Sequence, residues 1–327
     1  MAVTSTAMPT VVMLRALGLG DLLTAVPALR AVRRAYPLHR LVLAAPRPLG
    51  ELMPLTGAAD ELLETPGPSD FRWPGPPPDA AVNLHGRGPQ SVAALLAARP
   101  GRLLSHACPD FPEVRGPRWQ DGEHEVRRWC HLLRWFGLAA DPRDLLLRRP
   151  PGKPYAPGAV IVHPGAAHPD RRWRPQDFAA VARALTADGH HVEITGGLAE
   201  RGLAEKVARA AGLPGHAGSA GRLGLCGLAA LVASARLVIC GDTGVGHLAA
   251  AYGRPSVHLF GPVPPRLWGP PPRRRHRVLW TGRPGRRGLE DITVPAVLQE
   301  ARELLANPPP APVDTGIRRV PVVPVDR

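Results

Sequence analysis

The sequence predicts an α/β protein built from two doubly wound parallel-sheet domains, and three observations carry that prediction. Short apolar runs alternate with stretches of helical periodicity in both halves of the chain, the pattern that layers helices over a parallel sheet. A Pro/Gly-rich stretch, ADPRDLLLRRPPGKPYAPG at 140–158, breaks the alternation near mid-chain and reads as a linker. The length of 327 residues, 44% of them hydrophobic, suffices for two cores.

The elements follow in order. Val11–Arg15 is an apolar strand, and Leu22–Tyr36 carries Leu22, Val26, Leu29 and Val32 at helical spacing. Pro27 is expected to bend that helix or reset its first turn. Strands are predicted over Arg40–Ala45, Asp60–Glu64, Ala80–Leu84 and Arg102–Ser105, with helices over Ser91–Ala98 and Glu123–Gly137. Residues 66–79, which include six prolines, read as an exposed loop. The second half restarts with strand Ala159–His163, helix Pro175–Asp188 and strand His191–Thr195. Helices over Leu198–Ala211 and near Gly227–Ala233, strand Arg236–Cys240 and a final helix Val294–Ala306 complete it. Residues 1–150 and 151–306 are thus read as two domains, and the Pro-rich stretch 307–327 as a disordered tail. Ligands of such sheets bind beyond the carboxyl ends of the strands, which places the site between the halves.

Composition narrows the class. The net charge is +14, and nearly all the cations are arginine, Lys153 and Lys206 being the only lysines. Such a balance suits an anionic partner, or simply scattered surface charge. The arginines lie in small groups at 171–174, 273–277 and 286–287, with no sustained block and no recognition motif, which argues against nucleic acid. Cys108, Cys130, Cys226 and Cys240 lack metal-ligand spacing and read as free thiols in a reducing compartment. The N-terminal apolar stretch has no basic start and is interrupted by Arg15 and glycines, so it reads as a strand and not a signal peptide. No run approaches the length of a membrane span. A cytoplasmic protein, able to touch the membrane from its inner face, is expected.

Four segments carry the chemistry. In ICGDTGVGHLAAAYGRPSVHLFGP (239–262) a strand runs through Gly-Asp-Thr-Gly into a helix and then a second apolar strand. Unpaired helix-start N–H groups at a strand end form an anion-binding corner, with Gly244 and Gly246 keeping side chains away. Asp242 is expected to cap that helix or meet sugar hydroxyls, and His247 is read either as part of the site or as a buried structural residue. In LRALGLGDLLTAVPALRAVRRAYP (14–37), Gly18 and Gly20 follow the first strand, but Leu23 stands where a dinucleotide fingerprint needs its third glycine. What remains is a Gly-lined loop that sets Asp21 at the cleft. Asp21 is either a helix N-cap, worth about 1 kcal/mol, or a general base able to take a proton from an attacking hydroxyl.

In HPGAAHPDRRWRPQDFAAVARAL (163–185), Arg171, Arg172 and Arg174 gather at a Gly-containing turn and suit a diphosphate. Trp173 reads as a packing anchor. In ITGGLAERGLAEKVA (194–208), Glu200 follows a strand and a Gly-Gly turn. It is read either as a ribose-hydroxyl acceptor or as an acid favoured in a first helical turn.

Taken together, these segments, with AVNLHGRGPQS (81–91) and HEVRRWCHLLRWFGL (124–138), resemble glycosyltransferase family 9, the ADP-heptose:lipopolysaccharide heptosyltransferases, up to about residue 306. The resemblance implies a GT-B fold and inverting, metal-independent transfer of a sugar, heptose, from an ADP-sugar to an acceptor hydroxyl. It puts the general base at Asp21 after Gly20 and the diphosphate-binding cation at Arg171, where the family usually has lysine. The ribose-binding acid falls on Glu200, and the donor cluster on Asp242, Thr243, Gly244 and His247. Ala166 and Ala167 replace a hydroxyl-bearing pair, and Asn83 and His85 stand on the acceptor side. The implied partners are a nucleotide-sugar and a glycan, glycolipid or small-molecule acceptor, with no cofactor and no nucleic acid. Those departures also motivate an alternative, a nucleotide-sugar-binding protein without transferase activity.

Overall fold

Two five-stranded sheets, every strand pairing parallel, carry the chain. The computed structural model describes residues 8–153, 155–214, 218–282 and 288–307. The first half forms β1 (Thr10–Leu14), α1 (Leu19–Ala35), β2 (Arg40–Ala45), α2 (Met53–Thr56), β3 (Glu61–Glu64), β4 (Ala80–Asn83), α3 (Gln90–Ala97), β5 (Arg102–Leu104) and α4 (Glu125–Trp135). The second half opens with β6 (Val160–His163), α5 (Pro175–Ala187), β7 (Val192–Ile194), α6 (Arg201–Ala211) and α7 (Leu225–Ser234). It closes with β8 (Leu237–Gly241), α8 (Gly244–Ala251), β9 (Ser256–Phe260), α9 (Pro265–Trp268), β10 (His276–Trp280) and α10 (Val294–Ala306).

The strand orders are β3-β2-β1-β4-β5 and β10-β9-β8-β6-β7. Strands β1, β4, β6, β8 and β9 are buried at every residue, because helices cover both faces, and this is why they read as unbroken apolar runs. The order reverses between β1 and β4 in one sheet and between β6 and β8 in the other. Crevices open beyond the carboxyl ends of strands at such reversals. The loops leaving these four strands hold Arg15, His85, Arg171 and Asp242.

Helix α1 begins at Leu19, three residues before the predicted start, because Gly18 adopts extended backbone and serves as its N-cap. It runs on through the buried Pro27 to Ala35 without resetting. Strand β10 is absent from the elements predicted by sequence. It is a half-buried edge strand carrying Arg277, so it lacks the apolar signature of the central strands. The stretch expected as a linker has neither helix nor strand among its described residues, and it crosses between the lobes. Leu147 N–H donates to Ala251 O at 3.0 Å and Arg148 N–H to Leu55 O at 3.0 Å. The tail expected to be disordered lies, from residue 308 onward, outside the described residues. Among the described residues no helix is long and apolar enough to cross a membrane.

Behind the cleft the lobes share one apolar cluster. Leu22, Val26 and Leu29 of α1 join Leu231 of α7 and Val245 and Leu248 of α8, all buried. Helix α1 packs on α4 along one side and on α8 along the other. A polar contact adds to this. The N-cap of α7 is Gly224, which has no side chain to satisfy the helix start, and Glu51 from the other lobe supplies the acceptor, taking the Cys226 N–H at 2.9 Å. A carboxylate at a helix start also meets the favourable end of the helix dipole. Glu51→Ala is therefore expected to cost about 1 kcal/mol, read as a fall of about 2 °C in the thermal midpoint; an unchanged midpoint would show that the cap contributes nothing.

Candidate functional site

The N-terminal wall of the cleft is organised around a buried arginine. Arg15 follows β1 directly and is fully buried. Its Nε donates to the Asp21 carbonyl at 3.0 Å and its Nη1 to the Leu84 carbonyl at 2.5 Å. Nη2 lies 3.3 Å from Asp21 Oδ1 and 2.9 Å from Glu125 Oε1. Asp21 occupies the third position of α1 and is not its N-cap; its Oδ2 accepts the Gly18 N–H at 3.2 Å. The side chain keeps 26% of its exposure, enough to meet a ligand in the cleft. Burial raises the Asp21 carboxyl above the usual carboxylate range, Arg15 opposes this and Glu125 reinforces it. Neither Arg15 nor Glu125 stands out as functional in the sequence. The available signal is a charged residue wedged between an apolar strand and a Gly-lined loop.

The opposite wall is the turn from β8 into α8. Thr243 is the N-cap and makes no side-chain hydrogen bond to the helix, which leaves the first N–H groups without a capping side chain. Asp242, expected to cap the helix or to meet sugar hydroxyls, does not cap it and places Oδ2 3.3 Å from Arg171 Nη1. Burial raises its carboxyl, Arg171 pulls it down, and Asp21 across the cleft pushes it up again. The two carboxylates thus feel one another. A small cleft lies beside the turn, lined by residues including Asp242, Thr243, His247, His258 and Trp268.

The glycines act differently from expectation. A Cβ on Gly244 would lie 2.7 Å from Leu19 Cγ, and one on Gly20 would lie 3.0 Å from His247 Cδ2. These two glycines let the starts of α1 and α8 approach across the lobe boundary, where the sequence suggests that Gly244 keeps a space open for a phosphate. Gly246 likewise gives way to the His258 ring, 2.8 Å from where its Cβ would sit. His247 fills the seam beside Trp268, ring centroids 6.1 Å apart, and burial with His124 nearby pushes its imidazole down to about 4.

Glu200 stands beyond β7, next to the turn that leaves β6. Its Oε2 accepts the Gly197 N–H at 2.8 Å and lies 3.9 Å from His163 Nε2. A Cβ on Gly165 would sit 2.1 Å from Glu200 Oε1, so a side chain there would displace the Glu200 carboxylate. Of the three arginines grouped by sequence, Arg171 alone faces the cleft pair. Arg172 holds the buried Ala166 carbonyl with Nε at 3.1 Å and Nη2 at 2.9 Å, and Arg174 pairs with Asp177 at 2.5 Å. Trp173 is the packing anchor expected, buried against Phe178 with Nε1 donating to Ile292 O at 3.0 Å. Asn83, expected toward an acceptor, is fully buried and occupied: its Nδ2 lies 3.1 Å from Ser91 Oγ and 3.0 Å from Ser105 Oγ, and its Oδ1 accepts the His85 N–H at 3.1 Å. His85 lies close enough to Arg15 for burial and that charge to push it down to about 4. Among the described residues, no three His, Cys, Asp or Glu side chains converge to hold a metal ion.

Two facing doubly wound lobes, with the β8–α8 turn on one and Asp21 on the other, make a GT-B fold. The glycosyltransferase family 9 (heptosyltransferase) model matches residues 119–287, just over half of the chain. Lipopolysaccharide heptosyltransferase 2 of Salmonella typhimurium is 31% identical over 245 residues, covering 70% of this chain and 65% of that protein. Lipopolysaccharide heptosyltransferase 1 of Pseudomonas aeruginosa is 37% identical over 161 residues, covering 45% and 42%. The chain thus spans just under two thirds of the length of the first of these relatives. In three dimensions it is similar to a family 9 glycosyltransferase of Veillonella parvula, with a TM-score of 0.75 at 20% identity over 91% of this chain and 97% of that one. Escherichia coli ADP-heptose lipopolysaccharide heptosyltransferase II gives a TM-score of 0.72 at 22% identity, covering 91% and 99%. The chain belongs to glycosyltransferase family 9.

Histidines that are partly or fully buried set an acid sensitivity. Burial holds His85, His106, His247 and His276 down to about 4, against 6.5 for an ordinary imidazole. Between those values the unfolded chain binds protons that the folded one refuses, so stability rises with pH across the window. The raised carboxyls of Asp21 and Asp242 oppose this, but His124, His163 and His258 are lowered as well, which sets two groups against seven. The thermal midpoint should fall as pH is lowered from about 7 to about 5, followed by circular dichroism; a flat or rising midpoint would contradict the assignment.

Proposed function

We propose that this protein transfers heptose from ADP-heptose to an acceptor hydroxyl, with inversion at the anomeric carbon and with Asp21 as general base. The observation that carries the reading is the placement of a partly exposed carboxylate, Asp21, across a narrow cleft from the Asp242–Arg171 pair and the start of α8. The donor is supported by the heptosyltransferase relatives and by the likeness in fold to the Escherichia coli ADP-heptose enzyme.

In this mechanism Asp21 takes the proton of the acceptor hydroxyl while its oxygen bonds to the anomeric carbon. The bond from that carbon to the diphosphate oxygen breaks, and ADP leaves with the electron pair. Burial makes Asp21 a stronger base than an ordinary aspartate and so favours the proton transfer. Arg171 and the N–H groups opening α8 stabilise the charge growing on the leaving diphosphate, as preorganised donors do. No metal ion is needed in this scheme, because the guanidinium and the amides take the place of a cation. Glu200, beyond the neighbouring strand, receives the ribose hydroxyls. Closure of the lobes around the donor excludes water that would otherwise hydrolyse it.

The acceptor on this reading is a glycolipid of the lipopolysaccharide core, met at the inner face of the cytoplasmic membrane. Asp21→Asn is expected to lower turnover about 10²- to 10⁴-fold while the affinity for ADP, measured calorimetrically, changes little. Arg171→Ala should weaken ADP binding about tenfold or more, the effect of losing a charge-assisted contact. An Asn variant that turns over near the wild-type rate would remove Asp21 from the mechanism.

A further inference from the structure

The proposed base does not stand alone with Arg15. A single nitrogen, Arg15 Nη2, faces two carboxylates: Glu125 Oε1 at 2.9 Å and Asp21 Oδ1 at 3.3 Å. The closer partner comes from another element, the first turn of α4. The arginine cannot turn to choose between them. Its Nη1 is bound to Leu84 O, its Nε to Asp21 O, and its guanidinium carbon lies 4.7 Å from the Trp129 ring centroid. Glu125 is fixed as firmly. Trp129 Nε1 donates to Oε1 at 2.9 Å and Arg128 Nε to Oε2 at 3.2 Å. Arg128 is itself held over Trp119, 3.9 Å from the ring centroid, and by the carbonyls of Gln120 and Glu123.

From this geometry we infer that Glu125 is a positioning residue for Asp21: by taking the nearer place on Arg15 Nη2, it leaves the Asp21 carboxylate oriented but only weakly paired, and so free to accept a proton. An arginine paired with Asp21 alone would hold that carboxylate as a stable ion and a poor base. Without Arg15 the carboxylate would lose its orientation. The shared guanidinium supplies direction without full neutralisation. The other groups facing Asp21 are the Gly18 N–H on its own element and Asp242 across the cleft. His85, on the loop after β4, feels the Arg15 charge. Glu125 raises Asp21 directly by like charge, in the same direction as its competition for Arg15.

The inference rests on Asp21 being the base, but its test does not require turnover. The full-length protein carrying ¹³C-labelled aspartate is titrated by NMR, with the Asp21 carboxyl assigned by its loss in Asp21→Asn. In Glu125→Gln the Asp21 titration should move down by about one pH unit, since a like charge is gone and Arg15 Nη2 is released to Asp21. Glu125→Asp keeps the charge but withdraws it by one methylene, so a smaller shift in the same direction is expected, and this variant serves if the Gln variant does not fold. A folded variant whose Asp21 titrates as in the wild type would overturn the inference, whatever its activity. Where transfer is measured, the acid limb of the pH–rate profile should follow the Asp21 shift, and a purely structural role for Glu125 would lower the rate without moving that limb.

Discussion

The near contact of two helix starts is the constraint on which the site depends. Gly20 on α1 and Gly244 on α8 lack side chains, so Leu19 and His247 close the seam between the lobes. That approach sets Asp21 within electrostatic reach of Asp242, although the two belong to different sheets. A side chain at Gly244 would press into Leu19, and one at Gly20 would crowd the His247 ring, so the present facing of Asp21 and the α8 turn depends on both glycines. The shared apolar cluster of α1, α7 and α8 holds the geometry from behind. Chemistry and packing therefore meet at one place, and the same helices serve both.

Much of the architecture is legible in the sequence because the central strands are buried on both faces and read as apolar runs. The strand–turn–helix at 237–251 is legible for the same reason, with Gly-Asp-Thr-Gly marking the turn. Edge strand β10 is hidden, since a half-exposed strand bearing Arg277 has no continuous apolar signal. The start of α1 is misplaced because Gly18, the cap, works through its backbone conformation, which the residue type does not announce.

The site is legible in its residues and less so in their roles. Asp21, Arg171 and Asp242 come together, but it is the family resemblance, and not the residue types themselves, that picks Arg171 from three neighbouring arginines. In the fold the choice depends on Ala166 O and Asp177, which claim Arg172 and Arg174. Asn83 looks available to a ligand and is spent on Ser91 and Ser105, partners that only the fold brings near. Glu125 lies 110 residues from Arg15, and no local pattern links the two.

Family membership and site geometry point to one physical picture. On the proposed function a diphosphate would dock on the opening of α8, where Arg171 pairs with Asp242, and the facing carboxylate would meet the incoming hydroxyl. The most direct test is a crystal structure with ADP bound. The diphosphate is expected against the N–H groups of Gly244 and Val245, with Arg171 turned from Asp242 to the phosphate oxygens. A nucleotide bound elsewhere, with Arg171 still on Asp242, would contradict that picture.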